Sequence, residues 1–307
     1  MAAVMRCRAM VAGVAAALAL SCAHAASITV TDDTGAQVTL DKPVHRIVSL
    51  APNATEMLFA AGAGGAVVGV VASSDWPAAA RALPRVGDAS ALDLERILAL
   101  QPDLVVTWPY TTPAQVTLLR AQGIAVFVLD PHTVDGIASG LERIGRLAGD
   151  EKVARDAAAR LREREAALRA RFGTRTALRV FYEVWPAPLQ TLGGNHIVSR
   201  AIETCGGSNV FADSKTPAPN VTVEAVIAAR PDVIIAGADD SRRPGWLDAW
   251  RRWKDLPAVA DGNLYAVNAD LLHRAGPRFI DGVAQLCDTL EQARSRHRAA
   301  HVPSRAP

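Results

Sequence analysis

Short apolar runs alternate with amphipathic stretches along most of the chain. Residues 47–50, 67–71, 104–107 and 126–129 read as strands buried on both faces. Residues 55–61, 93–100 and 114–121 read as helices between them. The rhythm resumes with strands at 180–184, 233–236 and 264–267 and helices at 197–205, 224–229, 246–252 and 278–294. Strands that alternate with helices predict parallel sheets covered by helices, an α/β fold. Residues 134–172 separate the two sets. From Glu151 to Arg171 this stretch has no Gly or Pro, and opposite charges recur at helical spacing (Arg160 with Glu163, Arg162 with Glu165). A helix of about 20 residues or more is expected after a break at Gly149 and Asp150, about 30 Å long at 1.5 Å per residue.

The two sets echo each other. Leu94-Glu95, Ile97-Leu98-Ala99 and Pro102-Asp103-Leu104 return as Val223-Glu224, Val226-Ile227-Ala228 and Pro231-Asp232-Val233. Asn53, Gly64 and Gly65 return as Asn195, Gly206 and Gly207, each 142 positions on. Repeats in the same order predict a duplicated lobe. The expected layout is a leader at 1–25, an N-terminal lobe at 26–148, a linking helix at 149–175, a C-terminal lobe at 176–296 and a disordered tail at 297–307. A stiff rod between two lobes leaves a cleft, with only small closing motion expected. Ligands favour such interfaces and the carboxyl ends of parallel strands.

Composition adds a compartment. Arg6 and Arg8, an apolar run from Met10 to Leu20, and Ala23-His24-Ala25 follow the order of a secretory leader, with cleavage expected after Ala25. Cys22 offers a lipid anchor instead. Loss of the leader leaves basic and acidic residues equal in number, and no basic stripe is interleaved with aromatics, so nucleic acid is not an expected partner. Cys205 and Cys287 remain in the mature chain, either as one disulfide or as two buried thiols.

The segment Arg46-Ile47-Val48-Ser49-Leu50-Ala51-Pro52-Asn53-Ala54-Thr55-Glu56 resembles the periplasmic binding proteins of iron-chelate, haem and cobalamin ABC importers, and the resemblance spans residues 27–295. Ser73-Ser74-Asp75-Trp76-Pro77, Glu203-Thr204-Cys205-Gly206-Gly207 and Gln285-Leu286-Cys287 are most similar to the cobalamin-binding branch. That resemblance implies two α/β lobes joined by one long helix, a disulfide between Cys205 and Cys287, a corrinoid as bound ligand, no catalytic cofactor, and a monomeric periplasmic carrier. It also implies that Glu95 and Glu224 dock on arginines of the ABC permease. Locally, each Glu also complements the dipole of its helix's first turn.

Trp76, Trp108, Tyr110 and Trp185 are the expected walls for a flat, largely apolar ligand. Asp270, Leu272, His273 and Arg274 are expected to border it, although Asp270 and Arg274 are also spaced for a mutual ion pair. Asn53 and Glu56 read as a helix cap and its capping-box partner. Ala89 and Ala218 stand where the best-known cobalamin binders carry Trp, which implies a wider pocket.

Other functions compete. Haem on the same scaffold would use His273 or Tyr110 as axial ligand. A ferric siderophore would want clustered basic residues. Direct metal capture needs converging ligands, whereas His45, His132, His196 and His273 are scattered. An exported α/β enzyme is the alternative of another class. The G-x-S-x-G and P-loop patterns are absent, and Asp130 and His132 could pair but have no nucleophile beside them.

Overall fold

A computed structural model describes residues 27–88, 91–238 and 243–301, with side-chain surroundings as far as Arg296. The leader, Cys22 and Ala89 lie outside the described residues. The chain opens with an antiparallel hairpin, β1 (Ile28–Thr31) and β2 (Gln37–Leu40). In its turn one carboxylate oxygen of Asp32 accepts from the backbone of Thr34 and Ala36 and from the Thr34 hydroxyl.

The N-terminal lobe follows: β3 (Ile47–Ser49), α1 (Pro52–Ala60), β4 (Val67–Val70), α2 (Leu94–Ala99), β5 (Leu104–Thr107), α3 (Pro113–Ala121) and β6 (Ala125–Val128). Its sheet has the order β4-β3-β5-β6, all parallel. The C-terminal lobe contains β7 (Leu178–Glu183), a short hairpin of β8 (Trp185–Pro186) and β9 (Leu189–Gln190), α6 (Ile197–Thr204), β10 (Gly207–Asn209), α7 (Val223–Ala229), β11 (Val233–Ala238), α8 (Pro257–Ala260), β12 (Leu264–Asn268), α9 (Ala269–Leu272) and α10 (Phe279–His301). Its sheet order is β10-β7-β11-β12, again all parallel. Counting strands within each lobe, both sheets run 2-1-3-4, so the echo in the sequence corresponds to one topology used twice.

The duplication reaches backbone detail. Asp103 accepts from the His45 and Arg46 amides, and Asp232 accepts from the Arg179 amide. Among the described residues, the two non-glycine residues with left-handed backbone are Gln101 (φ 46°) and Arg230 (φ 43°), each just before the repeated Pro-Asp. The second echo is out of register. The left-handed glycines that end α1 and α6 are Gly62 (φ 93°) and Gly206 (φ 72°), so Gly64 is not the counterpart of Gly206.

Two helices join the lobes. α4 (Val134–Ala148) ends at Gly149, whose left-handed backbone (φ 81°) turns the chain into α5 (Glu151–Phe172). α5 runs back along α4, and Arg162 pairs with both Asp135 and Glu142 on it. The helices approach so closely that a Cβ on Gly145 would lie 2.3 Å from that of Ala154. The far half of α5 reaches the other lobe through Arg164 to Asp281 and through buried Phe172.

Each sheet has its own outer core, built on Val48, Val105 and Ile97 in one lobe and on Phe181, Ile234 and Trp250 in the other. The inner faces share a single core through α1, α4, α5, α6 and α10. Cys205 and Cys287 form a disulfide that pins the end of α6 to α10, a crosslink worth about 2–4 kcal/mol.

Three expectations are corrected. Residues 245–252 form a 3-10 helix rather than an α-helix, since Leu247 and Trp250, three apart, are its buried contacts. α10 continues to His301, five residues into the expected tail. α1 starts at Pro52 with Ala51 as its uncapped N-cap, so Asn53 lies inside the first turn and Glu56 has no capping role.

Candidate functional site

A cavity of about 360 Å³ lies between the lobes. The N-terminal lobe supplies Trp108 and Tyr110 after β5, Asp130 and His132 after β6, and Asn53 from the start of α1. The C-terminal lobe supplies Asn195 and His196 ahead of α6, and His273 and Arg274 after α9. All the strands concerned meet the cavity at their carboxyl ends, where parallel sheets open.

Four of the eight expected ligand residues therefore come together: Trp108, Tyr110, His273 and Arg274. Trp108 packs on the core and meets Tyr110 edge to face at 4.9 Å. Tyr110 is 73% exposed and forms the lip. His273 sits against fully buried Tyr182, whose hydroxyl lies 2.9 Å from its Nε2. Burial pushes that phenol's pKa upward.

The other four lie elsewhere. Trp76 is half exposed beside Pro77 and Pro277, on a separate hollow. Trp185 is 59% exposed on β8 and does not line the cavity. Leu272 is wholly buried and packs against Gly282 of α10, because the single turn of α9 turns it inward. Asp270 is held by Arg274.

An ion-pair network joins the lobes beside the cavity. Arg274 Nη1 donates to Asp75 at 2.6 Å, and Nη2 pairs with Asp270 at 2.9 Å. Arg278 donates from Nε and Nη2 to the two oxygens of Glu56, at 2.9 and 2.6 Å, and lies 4.7 Å over the Trp76 ring. Glu56 is buried, so this two-pronged pair is shielded from water on the carboxylate side. Burial alone would raise the Asp75 pKa, yet the Arg274 hydrogen bond and charge outweigh it and hold the carboxyl below its usual range. Hydrogen bonding to Glu56 holds the Arg278 guanidinium above its usual range.

Sequence spacing missed His196 and Asn53 as polar groups of the cavity, and raised the Asp130–His132 pair only as a catalytic candidate. His196 caps α6: its Nδ1 accepts from the Val198 amide at 3.2 Å. Burial, with smaller effects of His273 and His132, lowers its pKa to about 4, so the ring is neutral. His132 Nε2 lies 3.2 Å from Asp130. Asn53 is 94% buried, and its side-chain oxygen has no hydrogen-bond partner. Three of the four histidines that are scattered in sequence, His132, His196 and His273, thus gather at one cavity, and His45 lies away from it. Among the described residues, no three His, Cys, Asp or Glu side chains are placed to hold a metal ion.

Glu95 and Glu224 occupy the first turns of α2 and α7, at matching places on the two lobes. Both are exposed, and among the described residues neither has an ion-pair partner.

Comparison with known proteins gives a consistent match. The family model described as periplasmic binding protein matches residues 47–271. A vitamin B12-binding protein of Vibrio parahaemolyticus is 34% identical over 258 residues, covering 83% of this chain and 93% of its own length. The crystal structure of the periplasmic vitamin B12-binding protein BtuF of Vibrio cholerae superposes with a TM-score of 0.74 at 36% identity, covering 82% of this chain and 98% of that one. The periplasmic haem-binding protein RhuT of Roseiflexus, in its apo form, gives a TM-score of 0.71 at 28% identity, covering 81% and 98%.

Proposed function

Given that this chain belongs to the periplasmic binding protein family, we propose that it captures cobalamin or a closely related corrinoid in the cleft between its lobes and delivers it to an ABC importer. The observation that carries this is the cavity built from both lobes, with Trp108 and Tyr110 on one side and polar groups on the other. An aromatic wall suits the apolar face of a corrin disc, and the polar groups suit its amide arms. A 360 Å³ cavity takes in only part of such a disc. The rest lies over the lip at Tyr110, within reach of permease and solvent.

The carrier works after export, with the leader at 1–25 removed, and it binds and releases without turnover. Glu95 and Glu224 meet arginines of the permease. Exposed charges of this kind set orientation and encounter rate more than affinity, which suits a carrier that docks and leaves.

Haem is the second reading, favoured by the histidines at the cavity. Of the two axial ligands expected, Tyr110 lines the cavity with an exposed side chain, whereas His273 Nε2 meets Tyr182; His132, whose Nε2 pairs with Asp130 and leaves Nδ1 free to ligate, is a further candidate. Calorimetric titration of residues 26–307 with cyanocobalamin, haemin and a ferric siderophore separates the readings. Tight binding of cyanocobalamin alone is the expected result. Binding of haemin with loss on His132→Ala would replace the corrinoid with haem.

A further inference from the structure

His196 is a largely buried polar group of the cleft with one ring nitrogen still unaccounted for. Its Nδ1 lone pair is committed to the Val198 amide, because the ring serves as the N-cap of α6. A neutral imidazole carries one proton, so that proton must sit on Nε2. The ring lines the cavity, and among the described residues Nε2 has no hydrogen-bond partner. The cap therefore does two jobs: it satisfies an amide that the helix leaves open, and it fixes the tautomer that points an N–H into the cleft. Among the described residues, none of the neighbours at the cavity accepts from that donor, the unpartnered Asn53 oxygen included. His273 Nε2 meets the Tyr182 hydroxyl, His132 meets Asp130, and Arg274 is held by Asp75 and Asp270.

We propose that His196 is a specificity-determining residue, which donates from Nε2 to an acceptor oxygen of the bound corrinoid. The inference rests on the corrinoid reading and goes beyond it by naming the chemistry the cleft selects. A neutral N–H with no acceptor lone pair facing the ligand favours a carbonyl or phosphate oxygen. It disfavours an ammonium or an amide turned the other way, because such a group leaves both donors buried and unmatched. A corrinoid offers suitable oxygens on its ring amides and on the phosphate of its nucleotide tail.

The test compares the wild-type protein with His196→Asn and His196→Ala. Asn is a good N-cap, so His196→Asn keeps the helix capped through Oδ1 and removes the Nε2 donor, its own Nδ2–H2 stopping about one bond short of that position. Both variants should lose about tenfold in cyanocobalamin affinity, the worth of one net hydrogen bond at the upper end. His196→Asn should keep the wild-type melting temperature. Dicyanocobinamide, which lacks the phosphate and nucleotide, tells the two oxygens apart. An equal loss with this ligand assigns a ring amide, and a loss confined to cyanocobalamin assigns the phosphate. Wild-type affinity in His196→Asn for both ligands would overturn the proposal. Failure of the wild-type protein to bind any corrinoid would instead overturn the function beneath it, and that is visible before any variant is made.

Discussion

In the N-terminal lobe, Arg46 precedes the first sheet strand and closes onto the carbonyl of Leu100 at the end of α2. In the C-terminal lobe, Arg179 stands at the same point and closes onto the carbonyl of Ala229 at the end of α7. Strand order, the left-handed residue before Pro-Asp and the exposed Glu also repeat. The likeness stops at the cleft. On the pairing register of the strands, Ser49 corresponds to Tyr182 and Leu50 to Glu183. Ser49 joins Thr55 and Ser74 in a buried chain of hydroxyls, whereas Tyr182 supports His273 and Glu183 accepts from Trp250 at 2.7 Å. Only the C-terminal lobe has a disulfide among the described residues. Duplication thus preserved the parts that hold the sheets and the exposed Glu of each lobe, whereas the side chains at the carboxyl ends of the first strands diverged.

The largest expected effect tests the preserved half of this comparison. Glu95→Lys with Glu224→Lys should abolish corrinoid uptake in whole cells and leave ligand affinity unchanged. Each single reversal should fall between, by similar amounts, if the two faces are equivalent. A loss of affinity in the double variant would show that these residues serve the cleft instead. Next comes the divergent half. Cys205→Ser with Cys287→Ser removes about 2–4 kcal/mol, which should lower the melting temperature by about 5–15 °C. Glu56→Ala leaves Arg278 without its carboxylate and should cost about 2–3 kcal/mol in urea unfolding, the low side for a broken buried pair because Arg278 keeps partial access to water. Asp103→Ala and Asp232→Ala should each cost about 1 kcal/mol for lost backbone hydrogen bonds. Unequal losses would show that the two clamps differ in strength.

Acidity sharpens the contrast further. Burial, partly opposed by the Trp250 hydrogen bond, raises the Glu183 pKa to about 7 from an ordinary value of 4.5. The folded protein keeps a proton there that the unfolded chain has already released. Stability therefore falls as pH rises from about 4.5 to about 7, and the loss is complete above it. Glu183→Gln should flatten that fall in a melting series. The corresponding Leu50 has nothing to titrate.

The scaffold was largely legible in the sequence because its signals are local. Residues 104–107 are continuous apolar sequence, and α5 has unbroken helical spacing. The echo around Glu95 and Glu224 was legible for the same reason. What escaped depended on distance. Glu56 looks like a capping partner at three residues' spacing, but its real partner, Arg278, is 222 positions away. β10, with the sequence Gly-Ser-Asn, has no apolar run and is recruited by its edge position beside β7. Leu272 follows Leu271 and lies two residues from both Asp270 and Arg274, so only the turn of α9 shows that it points into the core. The place of His196 directly ahead of an apolar helix is the signal that could have marked it as a cap, but its nearness to His132 and His273 exists only in three dimensions.

The inner core that runs unbroken through both lobes has a practical corollary for protein engineering. Specificity cannot be exchanged with a relative by swapping one lobe at Gly149, since that cut would separate side chains that pack as a single body. Grafting the exposed positions of the loops after β5, β6 and α9, with core-packed Trp108 and Leu129 kept, leaves that body whole and is the route by which a new cargo could be installed.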